Sequence, residues 1–228
     1  MIRRLKLSLL AALAITALGA IDAAGAHAQQ FHCSVEPCKF TLNSDGEGKT
    51  AHHVFVVKNS VGESISFTCS RLTGSGTSST KTSSELTVTG IAYDKCSAFG
   101  QTVNVRMNGC DYRVGSQEFV SGGTNFGARI EVACPGAQYI EIELAETGCT
   151  FGVTSQDELG LYYHNIGVLH PEVTAEAKVK VKVFLAFAGF GCGIHVNETP
   201  LTAEYTTGNT IATAETDPGG VMADGWWE

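Results

Sequence analysis

From Val173 onward the chain repeats with a period of two. Val173, Ala175, Ala177, Val179, Val181, Val183, Leu185 and Phe187 are apolar, and Thr174, Glu176, Lys178, Lys180 and Lys182 stand between them. Successive side chains on a strand point to opposite faces, so this spacing builds one buried face and one wet face and does not suit a helix of about 3.6 residues per turn. At about 3.3 Å per residue the run would extend roughly 50 Å, longer than an ordinary strand. That length predicts a bulge or bend that lets the segment serve two parts of a sheet. Shorter runs keep the same period: Val103, Val105 and Met107 around Asn104 and Arg106, and Ile140, Ile142 and Leu144 around Glu141 and Glu143.

Turn formers separate these runs: Asn43-Ser44-Asp45-Gly46, 59–62, 74–79, Asn108-Gly109, Ser121-Gly122-Gly123, Pro135-Gly136, Thr147-Gly148 and Asp217-Pro218-Gly219-Gly220. Frequent turns without an amphipathic helical stretch predict an all-β fold, an antiparallel β-sandwich or a partly closed barrel. No Pro-rich or charge-run linker interrupts it, so residues 29–228 read as a single β-rich domain. The Ser/Thr-rich stretch 73–84 reads as a mobile hairpin end, because Thr is a good strand residue.

The N-terminus carries Arg3, Arg4 and Lys6, then an apolar run over 7–20, then Ala26-His27-Ala28. This pattern reads as a cleaved secretory signal peptide over 1–28. Its apolar core is shorter than the roughly 20 residues a membrane helix needs. The later apolar stretch 184–194 is shorter still and broken by Gly189, Gly191 and Gly193, so no membrane span is expected. Gln29 follows Ala28 where a lipoprotein would carry Cys. The expected location is therefore extracellular.

Eight cysteines follow the leader, at 33, 38, 69, 96, 110, 134, 149 and 192. In an oxidising compartment an even set reads as disulfides. The closest spacing is C-x4-C, and no C-x2-C pair suggests structural zinc. The strand that starts at Cys110 and the one that ends at Cys134 fold about Ser121-Gly122-Gly123, which sets the two sulfurs opposite each other. The strands around Cys69 and Cys96 fold likewise about the Ser/Thr turn. Cys33 and Cys38 then close a short loop, and Cys149 is left with Cys192. The expected bridges are Cys33–Cys38, Cys69–Cys96, Cys110–Cys134 and Cys149–Cys192. A weak internal repeat, Val103 to Val114 against Ile140 to Val153, presents a strand, a Gly-Cys turn and a second strand twice.

Chemistry is harder to find. Fifteen Lys and Arg face 23 Asp and Glu, a net charge of -8, and removing the leader takes away three cations and Asp22. Nucleic-acid binding needs clustered cations, so no nucleic-acid partner is expected. Asp45-Gly-Glu-Gly48-Lys49-Thr50 ends like a phosphate loop, but Asn43 stands where the first Gly is required and no helix follows. His52 and His53 point to opposite faces of one strand, and His164, His170 and His195 have no ligand spacing. There is no G-x-S-x-G elbow. Glu141 and Glu143 read as a solvated strand face, and Asp157-Glu158 and Asp217 as turn residues. No catalytic residue, cofactor or metal is assigned. Aromatic residues give the one hint of binding: Tyr162, Tyr163, Trp226 and Trp227, with Tyr112 and Phe99, could stack on sugar rings.

Several pieces together resemble a known group: the leader Met1-Ile-Arg-Arg-Leu-Lys, Cys33 and Cys38 as C-x4-C, Thr50-Ala-His-His-Val-Phe, and Thr82-Ser-Ser-Glu-Leu-Thr-Val-Thr. Tyr93 before Cys96-Ser-Ala-Phe-Gly100, and Met107-Asn-Gly-Cys110-Asp-Tyr112, belong to the same likeness. The chain resembles secreted, cysteine-bridged, β-rich proteins of soil actinobacteria that have no assigned activity. The resemblance implies export and a compact β fold, and it brings no catalytic residue. The resulting expectation is a secreted, non-enzymatic structural or ligand-binding domain at the envelope or outside the cell, with extracellular or cell-wall polysaccharide as a partner. The alternatives are a secreted hydrolase acting on polysaccharide or peptide, and an inhibitor that presents the 74–84 segment as a rigid loop.

Overall fold

The computed structural model describes residues 30–44, 53–116, 126–166, 172–187, 192, 201–216 and 225–227, with side chains for most of them. The leader 1–28, the Asp45 to Thr50 stretch, the Ser121-Gly122-Gly123 and Asp217-Pro218-Gly219-Gly220 turns, and His52, His170 and His195 lie outside the described residues. The described residues hold strands and no helix. In chain order the strands are β1 (Phe31–Cys33), β2 (Cys38–Asn43), β3 (His53–Lys58), β4 (Ser64–Ser78), β5 (Thr82–Ser83), β6 (Glu85–Ala98), β7 (Gln101–Arg106) and β8 (Asp111–Ser116). They continue as β9 (Phe126–Ala133), β10 (Ile140–Leu144), β11 (Thr150–Val153), β12 (Gln156–Ile166), β13 (Glu172–Phe187), β14 (Leu201–Thr216) and β15 (Gly225–Trp227).

The pairing closes into an antiparallel barrel of eight staves. Four staves are the long strands β4, β6, β13 and β14. Each of the other four is two short strands in line. β2 pairs with residues 73–78 of β4 and 211–216 of β14, whereas β3 pairs with 64–69 of β4 and 202–207 of β14. The same division sets β8 and β7 along the two halves of β6, β9 beside β8 and β10 beside β7, and β12 and β11 along the two halves of β13. Every stave therefore neighbours the next in sequence, and β14 returns to β2 and β3. This is an up-and-down meander, and closure removes the free edges that an open sheet would expose.

The in-line breaks all fall near mid-height and form a waist. The expected double service of the long alternating segment is met here, since β13 pairs with β12 through Ala177 and with β11 from Phe184. Extra residues accompany it: Gly160 in β12, Gly208 and Asn209 in β14, and Ala186 in β13 itself. Asn108 and Gly109, both at positive φ (52° and 79°), make a two-residue jog between β7 and β8, closed by the Cys110 N–H donating to Met107 O at 2.8 Å. That chemistry normally reverses a hairpin. Here it joins two segments running the same way, while Gly148-Cys149 ends a true hairpin in which Ile140 opposes Val153. The two halves of the weak sequence repeat thus occupy different places in the fold.

One end is capped by a separate three-stranded sheet in the order β15, β1, β5. The 73–84 stretch is consequently no free hairpin end. Residues 73–78 belong to β4, paired with β2 throughout and with β6 as far as Gly76, and residues 82–83 pair with β1. Polar residues with strand propensity were drawn into pairing that local sequence does not reveal. Asp157 and Glu158, expected in a turn, lie within β12 opposite Glu131 and Ile130.

The four disulfides join neighbours along the sequence. Cys33–Cys38 ties the cap to the barrel, Cys69–Cys96 crosses directly opposed residues of β4 and β6, Cys110–Cys134 bridges the waist ends of β8 and β9, and Cys149–Cys192 holds the β13–β14 connection to the β10–β11 hairpin. Described cysteines are all paired.

Alternation fills the bore from both ends. Toward the cap, Phe31, Phe40, Leu72, Leu86, Val88 and Val114 are buried together. Toward the other end, Phe55, Phe67, Ile142, Leu144, Phe151 and Leu201 form the larger core. Outward faces carry Ser64, Ser66, Lys178, Lys180 and Lys182, the reverse of the apolar exterior of a membrane-spanning barrel. Cross-strand ion pairs add Arg106 with Glu141 and Glu143, Arg113 with Glu131 at 3.6 Å, and Arg129 with Asp157 at 3.6 Å. Exposed pairs of this kind contribute little to stability, because solvent screens them. Among the described residues no helix is long and apolar enough to cross a membrane.

Candidate functional site: a hydroxyl series across the waist

Between the two apolar cores, polar side chains point into the bore. Tyr93 follows Ile91 by two in β6, Tyr112 precedes Val114 by two in β8, and Tyr205 follows Leu201 and Ala203 in β14, so strand parity alone turns each inward. His53 opens β3 opposite Cys69 and Thr207. Its ring is buried at 2% exposure. The Tyr205 hydroxyl lies 2.7 Å from His53 Nδ1 and 3.3 Å from the Tyr93 hydroxyl, which in turn lies 2.9 Å from the Tyr112 hydroxyl. The His53 ring stacks beside Tyr205 and meets Tyr93 edge-on. Thr207 and Thr210 are joined at 3.2 Å close by.

Stave order explains the reach of this series. β14 and β3 are adjacent, as are β6 and β8, but these pairs lie on opposite sides of the bore. The Tyr93–Tyr205 contact is therefore the link that crosses it. The one hydroxyl hydrogen of Tyr93 is placed for donation to Tyr205, while in the shorter contact with Tyr112 either oxygen can be the donor. When His53 Nδ1 accepts, Tyr205 donates to it. The Tyr112 hydroxyl stands at the end of the series.

Burial pushes Tyr93 well above the ordinary phenol value, with the neighbouring Tyr112 and Tyr205 adding to the rise. Burial likewise raises Tyr112 to about 12, against the opposing effect of its hydrogen bond with Tyr93. Tyr205 is raised by burial too. The phenols stay neutral at any physiological pH. They can give and take hydrogen bonds, but as oxyanion bases or nucleophiles they are out of range. An absorbance titration of the folded protein should show Tyr93, Tyr112 and Tyr205 held back through pH 11 and released by denaturant. Because the folded values lie above the unfolded one near 10, the stability they contribute is complete below pH 10 and drains as pH rises through the folded values. The expected slope is about 1.4 kcal/mol per pH unit for each tyrosine. A titration in which all six phenols ionise together near pH 10 would contradict the series.

Leu42, Val105, Met107, Val132 and the three tyrosines face inward at this height and pack against the cores, and each stays half-buried, as do Ile130, Val181 and Leu185 nearer the ends. Apolar side chains around three neutral hydroxyls match the composition of a small-molecule site.

The residues singled out in the sequence fall elsewhere. Tyr162 and Tyr163 lie in β12, opposite Gly127 and Phe126 of β9 and opposite Glu176 and Ala175 of β13. Trp226 and Trp227 pair with His32 and Phe31 in the cap, and β15 lies against β12 and β13, so the two aromatic pairs belong to the same end of the barrel. Tyr112 is separated from them at the waist, and Phe99 stands at the far end. His164 lies in β12 opposite Thr174. Glu141 and Glu143 flank Arg106 on the outer surface. Among the described residues no group of His, Cys, Asp or Glu could hold a metal ion. Sequence reading passed over Tyr93 and Tyr205. Their signal was a polar-tipped residue on the apolar parity of a strand, visible one strand at a time and meaningful only once three strands meet.

Comparison of the chain with protein-family models, curated proteins and solved structures finds no match.

Proposed function

We propose that the protein is a secreted, non-enzymatic β-barrel that binds a small, uncharged, mostly apolar molecule in its waist, at the cell envelope or outside the cell. The observation that carries this reading is the inward hydroxyl series of His53, Tyr205, Tyr93 and Tyr112, set between two packed apolar cores where inward side chains keep accessible surface. Four disulfides support the extracellular setting, since such bonds persist in oxidising compartments. The Tyr112 hydroxyl at the end of the series favours a ligand with one polar group, such as an N–H, that hydrogen-bonds to it.

N-phenyl-1-naphthylamine, an apolar fluorophore with a single N–H, tests it. Binding should be saturable with one site. Tyr112→Phe removes the hydroxyl and should weaken binding about tenfold, the equivalent of one hydrogen bond, and Met107→Trp should abolish it by its bulk at the waist. No saturable signal, or equal binding by wild type and Tyr112→Phe, overturns the reading. A second reading rests on the shared location of the Tyr162-Tyr163 and Trp226-Trp227 pairs at the capped end. It takes polysaccharide as the partner there. Retention of the oxidised protein on a polysaccharide array, unchanged by Met107→Trp and without product release, would favour that site over the waist.

A further inference from the structure

Three large apolar side chains stand out in solvent: Val61 at 64%, Phe99 at 65% and Phe187 at 63% exposure. All three sit at the uncapped end. Val61 is in the turn between β3 and β4, Phe99 is in the two-residue turn between β6 and β7, and Phe187 is the last residue of β13, beside Gly148 of the β10–β11 hairpin.

Phe99 carries a second cost. Ala98 opposes Gln101, so Phe99 and Gly100 are the central residues of a tight hairpin, with φ of 51° and 78°. Both signs are positive, the geometry in which Asn-Gly is favoured and a bulky side chain is disfavoured. A phenylalanine here strains the backbone and stays mostly in solvent. Local rules broken without a packing gain point to a role outside the fold.

Charge and spacing define the partner. The described tips carry Lys58 against Glu63 and Glu146, so they offer no excess of positive charge to an anionic surface. Adjacent hairpin tips in an eight-stave barrel are two strand spacings apart, about 10 Å. The anchors are thus three separate points around the mouth and not one patch. A protein partner would need three matched sockets, whereas a lipid interface receives each side chain independently. We infer that the uncapped end docks on an electrically neutral lipid surface, with Val61, Phe99 and Phe187 as its anchors. The inference is independent of the waist site.

Flotation of the oxidised full chain with phosphatidylcholine vesicles tests it. Wild type should float with the lipid, and the V61S/F99S/F187S variant should stay in the soluble fraction. Phe99→Asn is the decisive single change, because Asn suits the turn. It should raise Tm by a few degrees while it lowers partition about tenfold. A structural role for Phe99 would move both readings together. Wild type that remains soluble with phosphatidylcholine, partition that needs phosphatidylglycerol, equal partition by wild type and triple variant, or concentration-dependent dimers that the triple variant abolishes would each overturn the inference.

Discussion

Phe67→Ala is expected to destabilise the barrel by about 3–5 kcal/mol, the range for emptying a buried aromatic site and a large share of a domain's total stability. Phe67 is 2% exposed and belongs to the core of the uncapped half. It opposes Phe55 on the adjacent stave, with centroids 6.1 Å apart. Its second partner, Phe151, meets it edge-on at 5.5 Å. In stave order β4 and β11 lie on opposite sides of the bore, so this contact is where the walls touch through the interior. Truncation leaves a cavity bounded by hydrogen-bonded strands that cannot collapse into it. Phe67→Leu keeps most of the volume and should cost less than half as much. Urea unfolding followed by circular dichroism checks both, and a Phe67→Ala midpoint close to wild type would mean that the bore is not filled through this ring.

Replacing Cys149 and Cys192 together by Ala is expected to cost about 4 kcal/mol in the loop-closure account. This bridge has the widest sequence separation of the four, 43 residues, and both half-cystines are buried, at 0% and 5%. It fastens the long β13–β14 connection to the β10–β11 hairpin, so the unfolded chain regains the freedom of a large loop. The Cys33–Cys38 bridge spans a separation of 5 and by the same logic should contribute about 2 kcal/mol. Paired-alanine variants compared by denaturant midpoint should therefore rank in that order. If the Cys33–Cys38 variant proves the less stable of the two, the cap contributes more than loop closure alone and the ranking fails.

The period-two runs at 103–107, 140–144 and 173–187 each fall on a strand, and their described apolar side chains turn inward except Phe187, which stands in solvent past the extra residue Ala186. Neighbour-wise sulfur links follow from the same hairpin logic, because β4 with β6 and β8 with β9 are antiparallel partners, with Cys69 opposite Cys96 in the first ladder and Cys110 and Cys134 flanking the second. The candidate site was legible in fragments. Tyr112 stands out as an aromatic but in the wrong company, Tyr93 enters only as part of a resemblance, and nothing local marks Tyr205. Their meeting depends on which staves face each other across the bore, a fact held in no single segment. Asn108-Gly109 shows the same limit from the side of turns, since its positive φ values are local but the direction in which the chain leaves depends on β6, which both flanking strands pair with.

Strand parity, the wet and buried faces and the demand for disulfides all follow from the order of the residues, because alternation is a property of the pleat and thiol pairing one of compartment and proximity along the chain. Closure into a barrel, the waist and the crossing of Tyr93 to Tyr205 were decided by register between distant strands. Pairing energy is nearly the same for many registers. Filling one bore with Phe67 and Phe151 from opposite walls while three hydroxyls satisfy one another at mid-height selects among them, and that selection exists only in three dimensions.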